Sequence, residues 1–276
     1  MKKIFYFLII ALIGCEKIPN IIYNYPTRGL VSYYSFDNYS ILDCYGNNNG
    51  WTEHDTITPP GWSFGNGIIG QDFMTNSELH TLHDHKHVLS IYNEIDKNLH
   101  SNLINNPFSV SLWFNCTSWC SLLESAGIIM WGQSQTDISM SLDIYGGIPS
   151  LGYLALKFNN IYFFNNFDSP EASNCLVSYK YYIGTSWHHI VMTYDGKMMF
   201  LYIDNVLEDS KERVSIKEVN SISLGIGSFY YFPGEIDELY FYNVCLTNYE
   251  ISQLYNIEIG DNPELPTSLK FDYLNN

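Results

Sequence analysis

Basic side chains are scarce in this sequence: 13 Lys and Arg stand against 29 Asp and Glu, a formal net charge of −16 over 276 residues. Nucleic acids and sulfated or phosphorylated polymers are bound by clustered cations that displace counterions, so the deficit argues against both. It leaves neutral glycans, cationic partners or metal ions, and the plainer reading that acidity keeps the domain soluble. Long apolar runs are missing too. The marked one, Ile4 to Ile13, is too short to span a bilayer. No G-x-S-x-G, Walker or paired C-x-x-C motif is present, and Ser, His and Asp residues cannot be arranged into a triad from sequence. No internal repeat is evident, and no long helical period appears, which disfavours a βαβ sheet.

Cysteine is sparse, six in all. With Cys15 set aside, Cys44, Cys116, Cys120, Cys175 and Cys245 form an odd set, so at least one thiol stays unpaired within a monomer. The Cys116-x3-Cys120 spacing by itself fixes neither a disulfide nor a metal site. At the N-terminus, Lys2 and Lys3 precede the Ile4 to Ile13 run in the layout of a secretory signal. Leu12-Ile13-Gly14-Cys15 follows at once and resembles a bacterial lipoprotein box. That resemblance implies removal of residues 1–14, lipidation of Cys15, and a location in a bacterial cell envelope; the expectation is the outer membrane or cell surface, although Glu16 at the next position does not settle inner versus outer membrane. Acyl chains would hold an otherwise soluble protein to the membrane. An ordinary signal peptide with an incidental cysteine is the other reading. Residues 15–28, with Pro19, Pro26 and several Asn and Tyr, read as a tether.

What the chain has in quantity is aromatic and β-branched residues in short runs, punctuated by Gly, Asn and Pro. Trp187 to Asn205, WHHIVMTYDGKMMFLYIDN, reads as a complete hairpin. His188, Ile190, Met192 and Tyr194 alternate with His189, Val191 and Thr193, and Asp195-Gly196 supplies a turn whose two positions tolerate positive φ. Further strands are expected at Gly29–Phe36, near Ile68–Phe73, and at Pro107–Asn115, Ile128–Trp131, Ile138–Tyr145, Tyr153–Phe158, Ile161–Phe164, Val219–Gly227 and Gly234–Tyr242. Strands at this spacing favour an antiparallel sandwich. Leu246–Tyr255 reads as one short helix, with Thr247 as cap, Glu250 three residues on, and an apolar stripe of Ile251, Leu254 and Tyr255.

Several of these runs resemble one family. W-x-H-I-V-x-T-Y-D-G at Trp187–Gly196, the opening L-V-x-Y-Y-x-F at Leu30–Phe36, F-G-N-G-I-I-G-Q-D-F at Phe64–Phe73, PFSVSLWFN at Pro107–Asn115 and the ending GEIDELYFYN…LTNYEISQLY at Gly234–Tyr255 are similar to the laminin-G-like, concanavalin A-like domains of bacterial surface proteins. The resemblance covers about residues 29–256 and implies an all-β, two-sheet antiparallel jelly roll with a short C-terminal helix. Residues 257–276 lie beyond it as a tail. It further implies a domain that commonly binds glycans and often holds calcium. It also makes Cys44 and Cys245 a conceivable disulfide, since the family's end strands are neighbours.

The loop Asp43-Cys44-Tyr45-Gly46-Asn47-Asn48-Asn49-Gly50 carries a family turn in which Tyr45 replaces the usual Ser. Oxygens of Asp43, Asn47 and Asn49 can converge on a hard cation, or the run is a plain Asn-rich turn. Jelly-roll closure implies that Asp237 approaches this loop as a second carboxylate for a structural calcium ion. His80, His83, His85 and His87 form a second metal candidate; the last three would share one face of a strand, and neutral imidazoles suit zinc, nickel or copper. An exposed polar strand edge is the alternative.

Chemistry is weakly signalled. Glu235-Ile236-Asp237-Glu238 resembles the E-x-D-x-x-E strand of laminarinase-type glycoside hydrolases, but Tyr240 stands where the acid/base carboxylate belongs. Trp187 and His189 suit a core position better than a catalytic one. For sugar recognition, Trp62, Trp119, Tyr230 and Tyr231 fall in expected loops or strand ends. The expectation is therefore a membrane-anchored, non-catalytic protein that binds carbohydrate, without nucleic-acid partners. An adhesive or structural protein that binds another surface protein is the alternative, and a glycoside hydrolase the third.

Overall fold

The computed structural model describes residues 25–37, 40–50, 67–68, 72–74, 89–92, 106–116, 126–134, 137–145, 153–158, 175–180, 182, 184, 186–212, 221–225 and 230–261. Their strands are β1 (Leu30–Tyr34), β2 (Phe73–Met74), β3 (Leu89–Tyr92), β4 (Phe108–Cys116), β5 (Ala126–Ser134), β6 (Asp137–Tyr145), β7 (Tyr153–Phe158), β8 (Leu176–Ser178), β9 (Trp187–Tyr194), β10 (Met198–Ile203), β11 (Val206–Glu212), β12 (Ser221–Leu224), β13 (Tyr230–Tyr231) and β14 (Gly234–Tyr242); one helix, α1 (Asn248–Asp261), follows. The first sheet runs β1-β14-β4-β9-β10-β11 with β2 also on β14, and the second runs β3-β12-β5-β6-β7-β8 with β13 on β5. All pairings are antiparallel except β13 with β5. This is the two-sheet jelly-roll sandwich expected from the strand spacing.

The core is shared by both sheets. Leu112, Phe114, Ile190, Met192, Leu201, Ile236 and Phe241 from the first meet Ile129, Trp131, Leu142, Leu156, Ile222 and Leu224 from the second in one buried cluster. Each such side chain contributes about 1.5–3 kcal/mol when removed from water. The outer face of the first sheet is not left to solvent. Leu30, Val191, Tyr240 and Tyr242 pack there against Leu246, Ile251 and Leu254 around α1, and Trp113 stacks on Tyr255 with ring centroids 5.7 Å apart and planes 7° from parallel. Strands β4, β9 and β14 are thereby buried on both faces, which explains why their sequences lack a clean apolar-polar alternation.

Small polar residues on that covered face anchor the chain leading into α1. Ser109 and Thr193 lie opposite one another and bond at 2.6 Å. The Ser109 hydroxyl also donates to the Val244 carbonyl and accepts from the Leu246 amide, both at 2.9 Å. At Thr247 the expected cap forms: the Glu250 amide donates to the Thr247 hydroxyl at 3.3 Å, and the Thr247 amide donates back to the Glu250 carboxylate at 2.8 Å. The helix continues to Asp261, past the expected end at Tyr255.

Two expectations about the hairpins are corrected. Tyr194 pairs with Met199, so the β9–β10 connection is a longer loop, and of its first two residues only Gly196 takes positive φ, at 105°. The Asp195 carboxylate instead accepts the Lys197 and Met198 amides, both at 2.7 Å, which holds the loop without a primed turn. The two-residue turn with both φ positive lies one strand later, at Asp204 (50°) and Asn205 (63°), between Ile203 and Val206. Strand β1 is also shorter than expected, because Gly29 and Phe36 at its ends carry φ of 71° and 55°. The expected strand Ile161–Phe164 and the lead-in to Phe73 at residues 69–71 fall outside the described residues.

Asp204 does more than turn the chain: its carboxylate accepts the His189 amide at 2.9 Å and lies 2.8 Å from the His188 ring nitrogen Nδ1. Asp204→Ala, which loses both bonds and puts alanine at positive φ, is expected to lower the urea unfolding free energy by about 2–4 kcal/mol. Asn205→Gly, compatible with that φ, is expected to stay within about 1 kcal/mol of the parent. Equal effects of the two substitutions would contradict this account of the turn.

Candidate functional site

The Asp43 loop is organised from within. Asp43 is 4% exposed, and its Oδ1 accepts the amides of Tyr33 (3.1 Å), Tyr45 (3.0 Å) and Gly46 (2.7 Å), while Oδ2 accepts that of Asn48 (2.9 Å). The Asn49 side-chain oxygen accepts the Asp43 amide at 3.1 Å, and buried Asn48 donates to Ser32 at 2.6 Å. A β-carbon on Gly46 would sit 2.4 Å from the Val31 carbonyl oxygen and 2.5 Å from Asp43 Oδ2, so glycine is required by the close approach of the loop to β1.

This arrangement fits calcium poorly. A carboxylate offers about four acceptor positions, and four N–H groups already converge on that of Asp43. Asn47 is exposed, and Asn49 is committed to the Asp43 amide. Asp237 is fully buried on β14, opposite Trp113, with its Oδ1 accepting the Glu238 amide at 2.9 Å. No three His, Cys, Asp or Glu side chains converge as a metal site among the described residues.

Glu238, which the sequence presented only as part of an acidic run, is the unusual residue of β14. Pairing with β4 shifts register between Asp237 and Tyr240, and Glu238 takes φ of 50° at this bulge. On its other edge β14 changes partner at the same place, from β2 at Glu235–Ile236 to β1 at Leu239–Tyr242. The Glu238 side chain is 1% exposed, and its Oε2 accepts both the Tyr33 hydroxyl (2.7 Å) and the Tyr240 hydroxyl (2.5 Å). Those two rings stack at 4.4 Å. Burial raises the Glu238 carboxyl to about 7, against the two hydroxyl donors, which lower it, and with a smaller upward push from Asp37.

A serine and a histidine do meet, at Ser111 Oγ and His189 Nε2, 2.7 Å apart. The pair is not a hydrolytic triad. Asp204 reaches the His189 backbone amide rather than the ring Nδ1, the imidazole is fully buried against Trp113 and Tyr255, and burial lowers it to about 3, so it is neutral at physiological pH. His189 and half-buried Trp187 thus take the core roles expected of them.

The acidic strand is likewise occupied by internal bonds. Glu235 Oε2 accepts the Asn115 side-chain amide at 2.8 Å, Asp237 bonds the following amide, and Tyr240 donates its hydroxyl to Glu238. Trp62, Trp119 and the His80–His87 cluster lie outside the described residues, as does Cys15. Tyr230 and Tyr231 form β13, against β5. Cys44 and Cys116 each sit in a disulfide, whereas Cys175 and Cys245 are not disulfide-bonded, so the conceivable Cys44–Cys245 pair is not formed. The Cys245 sulfur instead accepts the Thr193 hydroxyl at 3.2 Å.

Residues 25–28, counted in the sequence with the tether, pack on the domain. Tyr25 lies 5.3 Å from both Tyr33 and Tyr240, and Arg28 makes a two-pronged bond to Glu250, at 2.8 and 2.7 Å. Between this segment and the first turns of α1 lies an open depression of about 460 Å³. Sequence reasoning missed it because Glu250 reads as a helix cap and Tyr25 as linker.

Residues 91–252 match the model of the Laminin_G_3 family, described as the concanavalin A-like lectin/glucanases superfamily. No curated protein matches the chain. Among solved structures, the fold is similar to the binding domain of botulinum neurotoxin DC in complex with rat synaptotagmin II (17% identity, TM-score 0.58, covering 83% of this chain and 52% of that one). It is also similar to the structure titled for the dependence of botulinum neurotoxin type C cell entry on two ganglioside molecules (16%, 0.61, 83% and 51%). A third is a neurotoxin DC binding domain in complex with SialylT (16%, 0.57, 83% and 52%). The chain thus spans about half the length of each, and at these identities the likeness concerns the fold.

The raised carboxyl of Glu238 sets a pH test. A folded-state value near 7 against 4.5 unfolded means that its contribution is fully present below about 4.5 and is lost as pH rises through about 7. Glu238→Gln keeps an oxygen acceptor for both hydroxyls and removes the titration. Its unfolding free energy relative to the parent is expected to rise by roughly 2–3 kcal/mol between pH 5 and pH 8 in urea titrations. Parallel pH profiles for the two proteins would contradict the assignment.

Proposed function

The chain belongs to the concanavalin A-like lectin/glucanases superfamily, and from that premise we propose that it is a non-catalytic, lipid-anchored surface protein that binds carbohydrate. Family membership is the observation that carries the reading. The non-catalytic part is supported by the acidic strand, where Glu235, Asp237 and Glu238 each accept an internal hydrogen bond and the third hydrolase position is a tyrosine. Retaining hydrolysis needs two carboxyls facing one substrate about 5 Å apart, one of them free to donate a proton. The anchor rests on the Leu12-Ile13-Gly14-Cys15 box, with the chain joining the domain at Tyr25. The box supports a place in the cell envelope, and the outer membrane or cell surface is part of the proposal.

Calcium has no part in this reading, because the Asp43 carboxylate that would hold it already accepts four amides. Trp62, Trp119, Tyr230 and Tyr231 stand as sugar-stacking candidates on residue type and position. A protein ligand is the second reading. The exposed Val206 and Leu207 on the edge strand β11 favour it, as does the synaptotagmin complex of one similar domain.

A broad glycan array probed with the full chain in detergent, once with calcium and once with chelator, tests the proposal. The expected result is binding to neutral glycans that survives chelation. Silence from protein shown to be folded would overturn the carbohydrate reading in favour of a protein ligand, and loss of binding in chelator would overturn the calcium-independent part.

A further inference from the structure

The depression between the start of the domain and α1 has the furnishing of a small-ligand site, and its unspent hydrogen-bonding groups can be counted. Arg28 carries five N–H groups. Its Nε and Nη2 are used on Glu250 and on the Cys245 carbonyl, the latter at 3.0 Å, which leaves both N–H groups of Nη1. The arginine side chain is 52% exposed. Glu250 is fully committed: it accepts Arg28 twice and the amide and hydroxyl of Thr247, and the Arg28 bond, ahead of all else, holds its carboxyl down to about 2. Such an exposed ion pair adds about 0–1 kcal/mol to stability. What it supplies is position, since the guanidinium is fixed in one orientation before any ligand arrives.

Two α1 side chains complete the lining. Tyr249 and Gln253 are four residues apart and therefore share a helix face, the face turned away from Ile251 and Leu254 in the core. Tyr249 is 72% exposed, so its ring face is open to a ligand in the depression. Among the described residues, neither its hydroxyl nor the Gln253 amide has a hydrogen-bond partner. Tyr25 forms the opposite wall, its ring braced by Tyr33 and Tyr240.

We infer that this depression binds a single neutral hexose unit of a glycan, an assignment that rests on the carbohydrate reading above and gives it a place. The Tyr249 ring covers the apolar C–H face of the sugar. The Arg28 Nη1 donors and the Gln253 amide take its hydroxyls, which accept and donate on neighbouring carbons. Arg28 and Glu250 cancel in charge, so the site has no net pull for an anionic sugar in a protein of net charge −16. The volume of about 460 Å³ falls in the range of about 300–1,000 Å³ common to small-ligand sites. The site sits on the outer, helix-covered side of the first sheet, between residues 25–28 and the first turns of α1.

Saturation-transfer NMR on the full chain in detergent reads this directly, with the methyl glycosides of glucose, galactose and mannose as neutral probes and sialyllactose as the acidic one. The parent is expected to saturate at least one neutral hexoside. Tyr249→Ala should weaken its binding about tenfold or more, as for loss of an aromatic anchor, and Gln253→Ala should weaken it to a lesser degree. Both variants should keep the parental melting temperature to within a few degrees, because Tyr249 is exposed and Gln253 only part-buried, outside the core. Undiminished binding in both variants would overturn the placement while leaving the carbohydrate reading intact. A preference for sialyllactose over every neutral probe would overturn the neutral class. A parent that binds no probe here and no glycan on the array would remove the carbohydrate reading and the site with it.

Discussion

Strand β14 has no solvent face, and that constraint shapes most of the molecule. Its inner residues, Ile236, Leu239 and Phe241, fill the space between the sheets, and its outer residues Tyr240 and Tyr242 lie under the packing around α1. It pairs with three strands, β1, β2 and β4, joining the start of the domain to the centre of the first sheet. A helix must therefore follow it closely to cover the outer face, and the chain before β1 must fold back onto the same side. The Thr247–Glu250 cap and the Arg28–Glu250 pair join these two requirements at one carboxylate, which fixes the N-terminal segment to the helix start.

Burying a strand on both faces also strands its polar groups, and several are met locally, though among the described residues the ring nitrogens Trp113 Nε1 and His189 Nδ1 are not. Ser109 and Thr193 satisfy one another and the incoming chain. The Glu238 carboxylate, displaced by the bulge, is met by the phenols of Tyr33 and Tyr240, and burial above all pushes the ionisation of Tyr33 well up. His189 is held neutral beside Ser111. In isolation each of these groups resembles machinery: a carboxyl near neutrality, a Ser–His contact, a pair of acidic residues on a strand. Their burial and their internal bonds suit them to parts of the frame, and a perturbed pKa there reports desolvation. Among the described residues, Arg28, Tyr249 and Gln253 keep hydrogen-bonding capacity around the depression.

Legibility from sequence followed the range of the physics. The bounds of β7 and β14 and the Thr247 cap were readable because propensity, punctuation and capping act over a few residues. The Asp195-Gly196 turn was misread because the Asp195 side chain offered the backbone a competing pair of bonds, while Asp204-Asn205, lacking glycine, concealed the tighter turn. Glu238 was invisible in its special role, since a bulge arises from mismatch between two partner strands and not from any local motif. The depression was hidden for a similar reason: Arg28 and Glu250 are brought together only by closure of the fold. Asp43 stood in the sequence as one of four expected calcium ligands; in the structure four amides converge on its carboxylate, and spacing alone does not decide between amides and a cation.

The central claim is that this superfamily fold is used here for binding without chemistry. Incubating the full chain at high concentration with reducing-end-labelled glycans, β-glucans included, and resolving the products tests that claim most directly. The account predicts that every glycan, whether or not the protein retains it, is recovered intact with no new reducing ends. Turnover that disappears in Glu235→Gln or Asp237→Asn would contradict it, and would turn the acidic strand from frame into active site.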